Sequence, residues 1–301
     1  MFESWGDGAR SLTDAVTALT GGKAGAYPSG TSLLIRGASE SVIIDPSVTV
    51  VEKGAPSDVD AVINSHGHED HMAGNGAFPG ARVHIHDDDL PAARGIDGLL
   101  AIFGYNMADN ADMALKFQEE FHYTPRPDAT GFQDGHVWDL GGGVSVEAVH
   151  LPGHTRGHSG FRISGGVFFL SDIDLTGFGP YYGDVWSDLD QFEESLVIAR
   201  AEDAKYYVTF HHKGIIEERE TFLEMLDAFE AVIPRRHQAM LDFLAEPRTV
   251  AEMVEHRFVY RPGVEVVFAD AVEERTARLH LDRMRSRGEI EDLGDGLIRA
   301  T

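Results

Sequence analysis

Val59-Asp60-Ala61-Val62-Ile63-Asn64-Ser65-His66-Gly67-His68-Glu69-Asp70-His71 is the stretch on which the reading of this 301-residue chain turns. Its first half is a short apolar run bounded by turn residues, the pattern of a buried strand. Its second half crowds three imidazoles and a carboxylate into positions 66–71. Groups of that kind, packed so closely, are costly to fold together unless a cation binds them. If the backbone stays extended past the strand end, His66, His68 and Asp70 share one parity and point one way, while His71 points elsewhere. The cluster then divides between two ions. The competing reading is a solvated, His-rich loop, and the rest of the chain weakens it.

Three further apolar runs each end in a metal-capable residue. His154 lies in Leu151-Pro152-Gly153-His154-Thr155-Arg156-Gly157-His158, after the strand-like 144–150. Asp172 follows Val167-Phe168-Phe169-Leu170-Ser171, and His211 and His212 follow Tyr206-Tyr207-Val208-Thr209-Phe210. Strand ends along one sheet edge are where α/β enzymes gather their sites. Imidazole and carboxylate ligands suit Zn, Fe or Mn.

The order HxHxDH, GHTxGH, strand-end Asp, strand-end His resembles the metallo-β-lactamase-fold superfamily of hydrolases, over roughly residues 1–215. The resemblance implies an α/β protein, a four-layer αββα sandwich spanning 1–216. A small, mainly helical domain would follow over 217–301. It implies two divalent metal ions, most simply Zn, with Fe or Mn as alternatives. His66, His68 and His154 would hold the first ion, and Asp70, His71 and the last His the second. Asp172 would bridge both, and Asp45 would steady a ligand imidazole from behind. Asp70 and Asp172 are the catalytic carboxylates in this scheme, holding the ions and orienting the attacking water. An ungapped match of His212-Lys213-Gly214-Ile215-Ile216 favours His212 as the last ligand, whereas alignment on the strand end favours His211. His212 is the residue adopted, with His211 as a neighbouring pocket residue. Tyr181 and Tyr182, in the Gly- and aromatic-rich loop after Asp172, are candidate substrate-binding residues. Ser171 stands where Gly is usual in the family.

The activity implied is hydrolysis of a small ester, lactone or thioester. A phosphodiester-cleaving nuclease, a β-lactamase and a non-heme iron oxidoreductase are the alternatives on the same scaffold. With no Cys in the chain, thiol nucleophiles and Cys ligands are excluded. A formal net charge of −25 repels phosphate backbones and acidic membranes, so a small-molecule substrate is expected rather than nucleic acid. The segment beginning Met1-Phe2-Glu3 has no apolar signal core, and no apolar run reaches membrane-spanning length. A cytoplasmic location is the default expectation, with no membrane partner.

Residues 88–122 read as a largely helical insertion whose aromatics suit a lid. Beyond residue 217 the pattern becomes three helices, over 222–244, 248–255 and 271–287, and a hairpin around Gly294-Asp295-Gly296. This resembles the winged-helix-like tail of some superfamily members. Arg275, Arg278, Arg283, Arg285 and Arg287 give the third helix a basic stripe, but Glu273, Glu274 and Asp282 interrupt it. A packing or homodimer-forming tail that shapes the rim of the site is preferred over DNA binding.

Overall fold

The computed structural model describes residues 3–264 and 266–301. Met1 and Phe2, the start of the segment read for a signal, lie outside them. One sheet runs in sequence order through β1 (Ala9–Ser11), β2 (Val16–Thr20), β3 (Thr31–Arg36), β4 (Ser41–Ile44), β5 (Ala61–Ile63), β6 (Arg82–His86) and β7 (Thr130–Phe132). The other holds β8 (Val137–Gly141), β9 (Val144–His150), β10 (Ser159–Ile163), β11 (Val167–Ser171), β12 (Tyr206–Thr209) and β13 (Ile215–Ile216), in the order β13-β12-β11-β10-β9-β8.

Alternation along the strands creates the layers. Leu33, Ile35, Val42, Ile44, Ala61 and Ile63 face Val146, Phe161, Phe169, Val208 and Phe210 across the two sheets. Their neighbours Leu34, Ile43, Val62 and Val83 point the other way, against helical residues such as Val50, Leu99, Leu100 and Phe117. On the second sheet Phe168, Leu170 and Tyr207 likewise point outward, against the helices Leu189–Ala201 and Arg219–Glu230. Central strands buried on both faces read as unbroken apolar runs, which is how Ser32-Leu33-Leu34-Ile35 and Val167-Phe168-Phe169-Leu170 appear. Helix, sheet, sheet, helix is the αββα arrangement expected. β4 to β7 are mutually parallel, as are β11 and β12.

The insertion forms the helices Leu90–Arg94, Ile96–Ile102 and Ala111–Glu120. In the tail, the single helix expected over 222–244 is two, Arg219–Glu230 and Val232–Phe243. Pro234 explains the break. It has no N–H to give to the preceding turn, and its ring clashes there, so it is tolerated only near a helix start. The helix Val250–His256 opens with a capping box in which Thr249 and Glu252 satisfy each other's backbone N–H. The helix Ala269–Arg287 and the hairpin β14 (Ile290–Gly294) with β15 (Leu297–Ala300) complete it. Met240, Leu244, Met253, Leu281, Met284 and Ile298 form the tail's own core. No helix among the described residues is long and apolar enough to cross a membrane.

A buried polar chain ties this tail to the loop after Asp172. Tyr182 Oη lies 2.9 Å from His280 Nε2, His280 Nδ1 is 3.1 Å from His237 Nδ1, and His237 Nε2 is 2.9 Å from Glu289. With both rings neutral, one assignment satisfies every link: Tyr182 donates to His280, His280 to His237, and His237 to Glu289. Burial, then the charges of His237, Arg283, Arg236 and Arg287, push His280 down to about 3. The unfolded chain therefore binds a proton near pH 6.5 that the folded chain refuses until about pH 3. Stability is complete above pH 6.5 and falls as the pH drops below it, by about 1.4 kcal/mol per pH unit from this residue. Urea unfolding of the wild type and of His280→Gln at pH 6.5, 5.5 and 4.5 checks this: the variant's stability should depend less steeply on pH, by close to one proton.

Candidate metal centre

The site lies where the ends of β4, β5, β11 and β12 meet the β9–β10 loop. Residues 64–74 do not stay extended; they form successive turns, with Met72 N–H donating to His68 O. Parity therefore does not sort the cluster, and Asp70 groups with His71 rather than with His66 and His68. One set of facing ligand atoms comes from His66, His68, His154 and Asp172, and a second from Asp70, His71 and His211, each set within 4.8 Å.

The first set converges tightly. His66 Nε2 and His154 Nε2 lie 2.9 and 3.1 Å from His68 Nδ1. Asp172 reaches into both sets: one oxygen is 3.2 Å from His154 Nε2, the other 3.1 Å from His71 Nε2. His211 Nε2 is 3.0 Å from Asp70 Oδ2.

Four of the five rings are gripped from behind by a carboxylate or a main-chain carbonyl. His68 Nε2 is held by Asp184 at 2.9 Å, and His154 Nδ1 by the Tyr181 carbonyl at 2.9 Å. His71 Nδ1 is held by Asp45 at 2.8 Å, and His211 Nδ1 by the carbonyls of Gly25 and Ser29, both at 3.0 Å. These acceptors require N–H at the rear nitrogen, which leaves a bare lone pair on the front one.

The charge balance points the same way. Burial alone would raise Asp172, but His71 and His211 hold it well below the usual carboxylate range. Burial opposes charge on His71, yet Asp172, Asp70 and Asp45 raise it well above an ordinary imidazole. His66 is pushed well down by burial and by its neighbours His71, His68 and His154. The centre thus wants positive charge between the carboxylates but cannot place a proton on every ring. Asp70 Oδ2, His71 Nε2 and Asp172 Oδ1 are buried with no hydrogen-bond partner among the described residues. Orphaned atoms of this kind, aimed into one space, fit metal ions.

Two expectations are corrected. His212 does not enter the cluster; it is exposed, at φ +61°, and His211 enters instead. A tight turn causes this: Thr209 Oγ1 donates to His211 O and accepts from Gly214 N–H, which reverses the chain directly after His211. Tyr182 faces away from the centre, into the tail, with its ring 1% exposed. Tyr181 stays beside the centre, its ring 5.6 Å from that of His154, but its hydroxyl donates to Asp184. Ser171, at φ +52°, adopts the left-handed backbone suited to Gly. Its hydroxyl lies 2.7 Å from that of Ser65, which offsets part of a strain of roughly 1 kcal/mol. His158 steadies Asp172 by accepting from its backbone N–H at 3.3 Å. His86 lies outside these two sets and stacks on His150, with centroids 4.1 Å apart.

Two positioning carboxylates had no distinguishing signal. Asp184 sits in an ordinary loop. Asp89 is the last of three consecutive Asp residues, and nothing in the sequence singles it out. Fully buried, it accepts from Gly67 N–H (2.9 Å), Thr155 Oγ1 (2.6 Å) and Gly157 N–H (2.9 Å). It therefore staples the loop of His66 and His68 to the loop of His154. Asp89→Ala strands three buried donors and should cost about 3 kcal/mol in urea unfolding. Retained metal affinity should drop about 10- to 100-fold, read by competition with a chromogenic chelator.

The family model of the metallo-beta-lactamase superfamily matches residues 28–212. Among solved structures, a metallo-beta-lactamase family protein from Thermus thermophilus is similar at 21% identity and a TM-score of 0.71, covering 97% of this chain and 100% of that one. A beta-lactamase domain protein from Burkholderia ambifaria is 17% identical with a TM-score of 0.67, over 97% and 93% of the two chains. An archaeal metallo-beta-lactamase superfamily protein from Sulfolobus tokodaii is 14% identical with a TM-score of 0.53, over 90% and 99%.

Proposed function

Because the chain belongs to the metallo-beta-lactamase superfamily, we propose that it is a dinuclear metal-dependent hydrolase of a small ester, lactone or thioester. The observation that carries this is the convergence of front-facing ring nitrogens on Asp70 and Asp172, with Asp70 Oδ2, Asp172 Oδ1 and His71 Nε2 left without a hydrogen-bond partner among the described residues. His66, His68 and His154 would hold one ion, Asp70, His71 and His211 the other, and Asp172 would join them. Zinc is the simplest occupant of such a donor set, and iron and manganese also suit it. When bound, ions of this kind polarise a carbonyl and acidify water.

The chain's own residues supply the rest. Asp45, Asp184 and the Tyr181 carbonyl fix ring orientation, so little reorganisation remains when substrate arrives. Phe103 stacks on His68 with centroids 5.3 Å apart and planes 19° apart, which keeps water off that side. Tyr27 flanks His211 at 6.1 Å and touches Phe121 at 5.9 Å. These rings supply an apolar wall for an acyl group and support the carbonyl reading. Tyr181 would orient substrate through Asp184 rather than by donating to it directly.

The alternative of phosphodiester cleavage receives less support. Arg278, Arg283 and Arg285 are paired with carboxylates, and Arg275 donates to the Phe103 carbonyl at 2.7 Å. The arginine stripe is thereby largely consumed within the protein, which supports a small-molecule partner over nucleic acid.

Elemental analysis of His211→Ala and His212→Ala separates the two adjacent rings. His211→Ala should lose one ion and roughly 100-fold or more in hydrolysis, whereas His212→Ala should keep both ions and its rate. Assaying a lactone, a thioester, an aryl ester, a β-lactam and an activated phosphodiester on metal-replete protein tests the bond. Turnover of the phosphodiester alone would overturn the carbonyl assignment.

A further inference from the structure

The loop carrying Tyr181 and Asp184 has a second face. There, residues 177–178 meet the helix Val232–Phe243 and the segment 258–264 around a cavity of about 550 Å³. Phe178, Phe258 and Tyr260 supply aromatic wall, and Arg235, Arg236 and Arg261 line it too. The chain carries 50 Asp and Glu residues, yet none of the described residues lining this cavity is acidic.

The three arginines differ in what they are free to do. Arg236 is buried and committed, donating to the carbonyls of Phe178 and Pro180, both at 2.6 Å. It fixes one wall. Arg235 and Arg261 are exposed and have no ion-pair or side-chain hydrogen-bond partner among the described residues. Elsewhere in the tail Arg248, Arg257, Arg278, Arg283, Arg285 and Arg299 are each paired with a carboxylate. The opposite wall is fixed by Glu273, 1% exposed, which accepts from the backbone N–H groups of Phe258, Val259 and Tyr260 at 2.8–3.2 Å. Phe178 and Tyr260 pack against each other, centroids 5.7 Å apart, and join the two walls at one side of the cavity. The cavity is therefore held open by two buried charges, each satisfied by main chain, and this is the preorganisation a ligand site needs.

We propose that this cavity binds an organic anion, a carboxylate or phosphate carried on an apolar or planar body, with Arg235 and Arg261 as its charge partners. The walls would take the planar body by stacking and the guanidinium groups would take the anion. Phe178 lies three residues before Tyr181, whose carbonyl holds His154, so the cavity and the metal centre share one loop. A ligand seated there bears on the loop that steadies the His154 ring, and the anion site itself does not rest on the hydrolase reading.

The test uses full-length protein as purified, with 6-hydroxy-2-naphthoic acid and 2-naphthol as fluorescent probes. The acid should bind at least about 10-fold more tightly than the neutral naphthol, and the Arg235→Gln/Arg261→Gln double variant should lose that preference by about 10- to 100-fold. Arg235→Glu/Arg261→Glu should reverse it. Both positions are exposed, and unchanged circular dichroism confirms that the variants fold. Equal binding of acid and naphthol by the wild type overturns the proposal, and so does a preference that survives in the double variant, since the anion is then read elsewhere.

Discussion

Two carboxylates and a set of imidazoles share a pocket from which water is largely excluded. Asp70 and Asp172 are stabilised as anions, while His66 is driven neutral by the same surroundings. Desolvation makes every unpaired charge in such a place expensive. A multiply charged cation between the rings and the carboxylates would satisfy the two ligand groups together without a proton on any front-facing nitrogen. The rest of the architecture can be read as the means of holding that unfavourable arrangement in register until a cation is present.

The holding is done from the rear and by long-range connections. Asp45 comes from the end of β4, Asp89 from the turn after β6, Asp184 from the loop after β11, and the Gly25 and Ser29 carbonyls from the β2–β3 connection. These four rings each answer to an acceptor far away in sequence, so the site is tied to several segments at once. The tight approach of main chain at Gly153, where an added Cβ would lie 2.3 Å from Phe192 N, shows how closely the second-sheet helix seats the His154 loop. At φ +121° only Gly adopts that backbone comfortably.

Much of this could be read in the amino-acid order. Double-faced burial leaves unbroken apolar runs, so the central strands and the donors at their ends were visible, and with them six members of the cluster. What escaped reading depends on geometry that spacing does not encode. The choice between His211 and His212 was decided by a turn closed through the Thr209 hydroxyl, and neither ring differs from the other as a letter. Asp89 is one of three identical neighbours, and only the position of the turn selects it. The split of the tail helix at residue 231 was signalled by Pro234, which a periodicity count overlooks because the apolar spacing continues across it. β1, an exposed edge strand, and its neighbour β2, with mixed burial, lack the runs that marked the centre of the sheet.

Among the contacts between the tail and the metal-centre half, one kind stands apart. Arg236 and Arg275 grip carbonyl oxygens, those of Phe178, Pro180 and Phe103. A main-chain oxygen is the same whatever residue bears it. The anchors therefore survive replacement of the side chains at the gripped positions, among them Phe178, which lines the cavity, and Phe103, which stacks on His68. Sequence change at those two positions can thus remodel the surface there while the clamp beneath stays engaged, separating variation of that surface from the upkeep of shape.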